Sequence, residues 1–286
     1  MKKYFALCAA ALALCAISCN KENGKDDEGN KKAEITVAKD ALVAYLPFET
    51  EAAEVGGLTL ADKGGVTEAN FVQGRNGKSF TGGENQYLLY NIPANSPIRD
   101  IKGFTLSAWI KQQEIPYAQA PVPMFMQITN TADHFWGNLA LSIDRTDEGA
   151  GYLTYKTCFR HSDAGAIWKT WNGDWADCFP AARWNHLIFI YDNAASEYHV
   201  YVNGADITPE SAVACVMGEQ PAGDLQFVNA EQLAVGVWMP RLLDGAQDEW
   251  MGWLDGAQID ELRLYNRALS AVEAGELYKA EIANID

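Results

Sequence analysis

The stretch GAQIDELRLYNRALSAVEAGELY, residues 256–278, combines the two kinds of secondary structure that decide the fold of this chain. Its first half alternates apolar and polar residues, which predicts a β-strand. In its second half Ser270 is followed three residues later by Glu273, the capping box that begins a helix. The stretch therefore predicts a strand that runs directly into a short helix.

Two adjacent carboxylates, Asp260 and Glu261, lie within the predicted strand. Because successive side chains of a strand point to opposite faces, we expect Glu261 to share a face with Ile259 and Arg263, and Asp260 to lie with the leucines. Two acids on opposite faces cannot act as a pair on one substrate. We therefore interpret both as structural, with Glu261 beside Arg263 and Asp260 beside a backbone N–H group or a cation.

The rest of the chain reads as strand after short strand, broken by Gly, Asn and Asp. Alternation with β-branched and aromatic residues is typical of an all-β sandwich or barrel. Residues 40–286 are enough for one large β-sandwich. The clearest segments are ALVAYLPF, QYLLYNI, GFTLSAWIK, LALSID, YLTYKTCF, WNHLIFIYD, EYHVYVNG and QLAVGVW.

Four of these blocks carry a resemblance to a known family. LVAYLPFE, GFTLSAWIK, WNHLIFIYDNAASEYHVYVNG and the final strand–NRALS–helix block are similar, in the same order, to the laminin-G-like domains of the concanavalin A-like lectin/glucanase superfamily. The resemblance reaches from about residue 41 to 279. It implies an all-β, two-sheet antiparallel jelly roll with one concave face and a short C-terminal helix. That fold hosts lectins, glucanases, adhesion modules and structural domains, so it leaves the function open.

The N-terminus has the pattern of an exported lipoprotein. A basic start precedes an apolar run at residues 5–17, which suits a signal peptide and is too short to span a bilayer as a mature helix. The run ends in AISC, which resembles the lipobox of bacterial lipoproteins, so residues 1–18 are expected to be removed and Cys19 to be lipidated. We expect an outer-membrane lipoprotein, exposed at the cell surface and held to the membrane by this lipid anchor.

A polar segment, residues 19–39, follows the lipobox. Its first part, NKENGKDDEGNKK, has too little apolar surface to offset the entropy of ordering it, so it predicts a tether. The KDDE at residues 25–28 is similar to the acidic export signal of some bacterial surface lipoproteins, and a solvated linker explains it equally well.

The formal net charge of the chain is −16, and it becomes −18 when Lys2 and Lys3 leave with the signal peptide. Such a surface repels nucleic-acid phosphate and excludes nucleic acid as a partner class. It is compatible with cations and with neutral ligands such as sugars.

Three cysteines remain in the expected mature domain: Cys158, Cys178 and Cys215. One disulfide is compatible with export, and Cys158–Cys178 is the first candidate, although the sequence does not fix the pairing. The chain has no CxxC pair, which argues against a zinc site.

A catalytic site is not evident in the sequence. The glucanases of the superfamily carry E-x-D-x-x-E on one strand, and no predicted strand of this chain does. ETEAAE at residues 49–54 has similar spacing but follows Pro47 and reads as a loop. The four histidines lack the spacing of metal ligands. Acids from loops are a remaining source of an active site, and Asp133, Asp144, Asp174 and Asp177 are the candidates.

Tryptophan gives the strongest functional signal. Trp109 and Trp184 lie in family strand blocks and are expected to be framework residues. The segment AIWKTWNGDWADCF has a loop composition, and exposed indoles stack well on the apolar faces of sugar rings. Packing of long loops onto the sandwich is the competing explanation. The predicted glycan contacts are Trp136, Trp168, Trp171, Trp175, Trp238 and Trp250.

The resemblance also implies a structural calcium ion that joins the start of the domain to its last strand. The matching positions are Glu49, Asp62 and Asp260. Oxygen ligands from separate segments suit Ca²⁺. The alternative is that Asp260 only caps backbone N–H groups.

Three classes of function follow from these observations. The leading one is an envelope-anchored, lectin-like protein that captures glycans through loop aromatics. The second is a glycoside hydrolase or polysaccharide lyase with carboxylates carried on loops. The third is a protein-binding, adhesion or structural module of the envelope.

Overall fold

The structure is a computed structural model that describes residues 34–116, 121–160, 180–246, 248 and 250–285, together with the backbone of residues 166–171. Residues 34–286 form one compact unit. The domain begins at Glu34, a few residues before the expected boundary at 40, because Ile35 and Val37 pack against a hydrophobic cluster of the domain. The predicted signal peptide, Cys19 and most of the predicted tether lie outside the described residues.

The first sheet contains the first and the last strand of the domain. Its order is β13-β12-β11-β6-β18-β4-β3, with β1 also paired to β18, and every pairing is antiparallel. Its strands are β1 (Leu42–Leu46), β3 (Phe71–Gln73), β4 (Lys78–Phe80), β6 (Phe104–Gln112), β11 (Asn185–Asp192), β12 (Glu197–Val202), β13 (Ala205–Asp206) and β18 (Ala257–Tyr265).

The second sheet has the order β10-β9-β8-β7-β16-β5-β2, and β17 runs parallel to β7 at its side. Its strands are β2 (Thr59–Gly64), β5 (Gln86–Asn91), β7 (Val122–Ile128), β8 (Leu139–Asp144), β9 (Thr154–Arg160), β10 (Ala166–Trp171), β16 (Gln232–Val235) and β17 (Met251–Gly252). A separate small hairpin joins β14 (Val216–Met217) to β15 (Gln220–Pro221).

The core lies between the two sheets. Phe104 of β6 meets Phe159 of β9 edge to face, with ring centroids 5.3 Å apart. Leu106 and Phe189 of the first sheet and Leu141 of the second belong to the same buried cluster. Each such side chain contributes roughly 1.5–3 kcal/mol by leaving water. The predicted two-sheet jelly roll is confirmed.

The helices are short. They are α1 (Glu210–Val213), α2 (Met239–Leu243) and α3 (Ala271–Ala283), with 3-10 turns at Lys39–Ala41, Glu68–Asn70 and Pro97–Asp100. The capping box of α3 forms as predicted, since the Ser270 hydroxyl accepts the N–H of Glu273 and the Glu273 carboxylate accepts the N–H of Ser270. Among the described residues, no helix is both long enough and apolar enough to cross a bilayer.

The last strand departs from simple alternation. Its register with β6 shifts between Asp260 and Arg263, and Glu261 has φ 53°, so a β-bulge interrupts β18. The bulge places Ile259 in the same core cluster as Leu262 and Leu264. The expected division of faces, with Asp260 on the side of the leucines, is therefore wrong, because one extra residue reverses the alternation.

Candidate functional site

The outer face of the second sheet carries a cluster of four large aromatic side chains, Phe135, Trp136, Trp238 and Trp250, called here the aromatic cluster. Phe135 is central: its ring centroid lies 4.0 Å from Trp136, 5.3 Å from Trp238 and 5.4 Å from Trp250. The cluster packs on Val122 and Met124 of β7, Ala140 of β8 and Cys158 of β9. It is therefore seated on three neighbouring strands.

Trp238 forms the base of the aromatic cluster. Its side chain is 2% exposed, and its indole N–H donates to the Val122 carbonyl at 2.7 Å. Trp238 lies three residues after the end of β16 and immediately before α2. A side chain this deeply buried supports the neighbouring rings and offers no surface to a ligand in this structure.

Trp136 and Trp250 are the half-buried members of the cluster. Asp133 fixes the Trp136 segment, since its carboxylate accepts the Trp136 N–H at 3.1 Å and an N–H of the Arg160 guanidinium at 2.8 Å. The Trp250 carbonyl accepts the Val122 N–H at 2.6 Å. Both indoles are thus carried on backbone that is hydrogen-bonded to the sheet or to its loops, with charged groups beside them.

One aromatic residue on this face was missed by sequence reasoning. Trp253 is half-buried and lies nearly parallel to Tyr87, with ring centroids 6.4 Å apart and an angle of 15°. The Arg241 guanidinium carbon lies 5.1 Å from the Trp253 ring. The Tyr87 hydroxyl donates to Asp62 at 2.6 Å. The available signal was that Trp253 lies close in sequence to Trp250, in the same connection between β16 and β18 as Trp238.

The segment with three predicted glycan-binding tryptophans is only partly described. Ala166–Trp171 forms β10, so Trp168 and Trp171 lie on a strand and not on the expected loop. Trp168 is registered opposite Cys158, and Trp171 opposite Tyr155. Trp175 lies outside the described residues.

Cys158 has a free thiol in this structure, and its first-candidate partner, Cys178, lies outside the described residues, so the pairing stays a prediction. Cys158 sits beneath the aromatic cluster, and its burial raises the pKa of the thiol to about 12. A thiol with so high a pKa is almost wholly protonated at neutral pH and is unreactive.

The outer face of the first sheet is a contrasting place, because α3 covers it. Ile188, Ile190 and Tyr201 of the sheet pack with Ala274 and Leu277 of α3. The covered face also holds charged side chains, which need partners there.

Asp260 is buried and caps a turn. One of its carboxylate oxygens accepts the backbone N–H groups of Arg75 at 2.8 Å and Asn76 at 2.9 Å. The Asn76 amide also donates to Glu261 at 3.2 Å. Asp260 and Glu261 therefore both reach the 74–77 turn, which corrects the expectation that they point in opposite directions. Their role is still structural, since both are enclosed.

Glu261 pairs with Arg263 as predicted, at 2.6 Å. Arg263 also pairs with Glu281 of α3, and the Tyr45 hydroxyl donates to Glu261 at 2.7 Å. Burial opposes the charge on Arg263, but Glu281 and Glu261 outweigh it and hold the pKa of Arg263 above its ordinary value. This buried Glu–Arg–Glu group ties α3 to the last strand.

The three expected calcium ligands make other contacts in this structure. Glu49 accepts the Lys78 N–H at 3.3 Å, whereas Asp62 lies on β2 of the other sheet and accepts from Tyr87. In the part of the chain that the structure describes, no three His, Cys, Asp or Glu side chains are grouped so that they could hold a metal. The bonds from the Arg75 and Asn76 N–H groups are those that the capping interpretation of Asp260 predicts.

The loop acids and the histidines are also placed. Asp133 pairs with Arg160. Asp144 is the last residue of β8 and not on the expected loop, and it pairs with Lys156. ETEAAE lies outside the strands as expected. His134 contacts Asp244 at 2.8 Å and His199 contacts Asp206 at 3.0 Å. His161, Asp174 and Asp177 lie outside the described residues.

Together these features define a jelly-roll sandwich with one face sealed by a helix and the other carrying half-exposed aromatic side chains. The model of a laminin-G-type family described as the concanavalin A-like lectin/glucanases superfamily matches residues 82–274. The chain belongs to this family. No curated protein matches it significantly.

Solved structures share the fold at low identity. The binding domain of Paraclostridial mosquitocidal protein 1 matches with TM-score 0.56 and 17% identity over 84% of this chain and 52% of that one. The binding domain of botulinum neurotoxin serotype D matches with TM-score 0.56 and 13% identity, over 84% of this chain and 52% of that one. A structure of botulinum neurotoxin type C matches with TM-score 0.58 and 12% identity, over 85% of this chain and 51% of that one. That structure is described as showing that cell entry of the toxin depends on interaction with two ganglioside molecules. This chain spans about half the length of each.

Proposed function

We propose that this protein is an envelope-anchored, lectin-like lipoprotein that binds glycans on the outer face of its second sheet. The observation that carries the proposal is the pair of half-buried indoles, Trp136 and Trp250, on a sheet-supported aromatic cluster. Aromatic faces stack on the apolar faces of sugar rings, and the adjacent Asp133–Arg160 pair supplies groups that hydrogen-bond hydroxyls.

The solved neighbours support a binding role over catalysis. Their titles describe binding domains, and one concerns gangliosides, which carry glycans. The chemistry of the described acids points the same way. A glycosidase needs two carboxylates flanking the bond to be cleaved. Asp133, in the connection between β7 and β8, and Asp144, at the end of β8, are each paired with a different cation.

A protein ligand on the same face is the second candidate. It is favoured by the neighbour whose title places its binding domain in complex with rat synaptotagmin II. Half-exposed aromatic residues serve protein partners as well as sugars, since Trp and Tyr are enriched where binding energy is concentrated.

The test is an array of neutral and acidic oligosaccharides, followed by calorimetric titration of the hits. Trp136→Ala and Trp250→Ala should each weaken binding by about 1–3 kcal/mol, the loss of one aromatic anchor. Leu243→Ala is the matched control, because Leu243 is an exposed apolar residue of the nearby α2. An array without hits, or equal losses in all three variants, would refute the proposal. Recovery of a protein with the wild type but not with Trp136→Ala would favour the second candidate.

The anchor is tested separately. The apolar run ending in AISC supports acylation of Cys19 and location in the outer membrane, exposed at the cell surface. A clickable palmitate analogue should label the wild type and not Cys19→Ala, which should leave the membrane fraction. Unchanged labelling and fractionation would show that the anchor is absent.

A further inference from the structure

A cavity of about 330 Å³ opens at the end of the sandwich, away from the aromatic cluster's own residues. It is lined by Gln113, Glu114, Pro116, Gly151, Ala181 and Ala182. These residues come from three segments: the connection after β6, the connection between β8 and β9, and the chain that leads into β11. The cavity lies at the end of the second sheet where β8 ends and β9 begins.

The three segments are held together by backbone hydrogen bonds. The Ala182 N–H donates to the Gln112 carbonyl at 2.7 Å, and the Ala181 N–H donates to the Gly151 carbonyl at 3.0 Å. A site fixed in this way loses little entropy when a ligand enters, which is the advantage of preorganisation.

Glu114 is the charged group of the cavity, and its side chain is fixed. One carboxylate oxygen accepts the Gly149 N–H at 3.1 Å, and the other accepts the Gly151 N–H. Each oxygen of an ionised carboxylate has two acceptor positions, so both oxygens retain capacity for a further donor. The Gln113 amide is exposed beside it and can donate as well as accept.

These features select a class of ligand. The fixed acceptor calls for hydroxyl donors, and the exposed acids of the adjoining loop, Asp147 and Glu148, disfavour an anion. The small side chains of Gly151, Ala181 and Ala182 leave the volume open, and 330 Å³ lies at the lower end for ligand pockets. That is room for a single ring and not for a chain.

We propose that this cavity is a second glycan site, which binds one ring of a neutral sugar through Glu114 and Gln113. The proposal rests on the glycan-binding function argued above and adds to it the neutral class of the ligand.

The experiment titrates the full chain with linear hexasaccharides of glucose, xylose and mannose, and with a hexamer of galacturonic acid. We expect a neutral hexamer to bind and Glu114→Gln to weaken it about tenfold, the loss of a hydrogen bond to a charged group. Gln113→Ala, an exposed position, should weaken it about threefold, as for an ordinary hydrogen bond. The matched control is Glu148→Gln, which removes the same charge from the neighbouring loop outside the cavity lining and should leave affinity unchanged.

The outcomes separate the two claims. If Trp136→Ala weakens binding while Glu114→Gln and Gln113→Ala do not, the cavity proposal is overturned and the aromatic face remains the glycan site. Tighter binding of the galacturonic acid hexamer than of every neutral hexamer also overturns it. If the wild type binds none of the sugars, both claims fall. Melting temperatures of all variants within two or three degrees of wild type show that the losses are local.

Discussion

Each outer face of this sandwich carries tryptophan side chains, but the two faces bury them to different extents. Trp109 on the first sheet is 2% exposed, beneath Arg75 and beside His186 and Tyr278. Trp136 on the second sheet is half-buried and surrounded by other aromatics. The difference is the cover: a 13-residue helix closes the first face, whereas a five-residue helix and loops lie over the second. The role of a residue here follows from what covers it.

The largest effect should come from the covered face. Arg263→Met leaves Glu261 and Glu281 buried together without a cation and should lower the free energy of unfolding by about 3–5 kcal/mol. Urea unfolding measures it. The control is Lys63→Met, which breaks the half-exposed pair with Glu51 on the second sheet and should cost less than about 1 kcal/mol. Equal losses in the two variants would mean that α3 does not seal the first face.

Within the aromatic cluster, the buried Trp238 should contribute more to stability than the half-buried Trp136. Trp238→Ala removes a buried side chain and its hydrogen bond to Val122, so it should destabilise the fold by about 3–5 kcal/mol. Trp136→Ala is the comparison and should cost clearly less, since its side chain is already partly exposed to water. Thermal unfolding of both variants checks this. A Trp136→Ala loss as large as that of Trp238→Ala would place Trp136 in the core.

The covered face should also make stability depend on pH through His186. Burial, aided by the Arg263 charge, lowers the pKa of His186 to about 3, below the value of about 6.5 in an unfolded chain. Below pH 6.5 the His186 imidazole is therefore protonated in the unfolded state and stays neutral in the folded state, so the free energy of unfolding falls as the pH drops. This residue should contribute a loss of about 2 kcal/mol between pH 7 and pH 5.

His186→Gln isolates that contribution, because glutamine can keep the hydrogen bond to Ser107 but does not titrate. Urea unfolding at both pH values, in wild type and variant, gives the difference. A variant that loses as much stability as the wild type would show that His186 is accessible to protons in the fold.

The smallest expected loss of stability is that of a substitution at Asp260. Asp260→Asn weakens two hydrogen bonds to the backbone of the 74–77 turn and should cost about 1–2 kcal/mol. Because the expected calcium ligands do not converge, wild-type melting curves in saturating calcium and in chelator should coincide. A calcium-dependent rise in melting temperature that disappears in Asp260→Asn would instead restore the calcium hypothesis.

The sequence predicted the fold because the alternation of its strands is a local property. It predicted α3 for the same reason, since Ser270 and Glu273 form their capping box within one turn. The faces of Asp260 and Glu261 were not predictable by counting, because one residue with positive φ reversed the order. Such a bulge depends on pairing with β6, which the local pattern does not reveal.

The candidate site was predicted only in part. Sequence reasoning named Trp136, Trp250 and Trp238 alike, and composition could not tell the two half-buried indoles from the buried Trp238. Contact of these indoles with a glycan stays a prediction. AIWKTW lacks regular alternation and its flanking residues predict a loop, yet it forms β10. The cavity at Glu114 left no signal, because its walls come from segments that are far apart in sequence.

The position of β18 bears on how the chain acquires its structure. This strand pairs with β6, β1 and β4 and so lies inside the first sheet, yet it is synthesised after all of them. Nascent chains that still lack residues 257–265 cannot close that sheet, and the contact of β1 with β18 spans nearly the whole domain. Native contacts of such long range make folding slow. Closure of the first sheet therefore waits until residues 257–265 have been made.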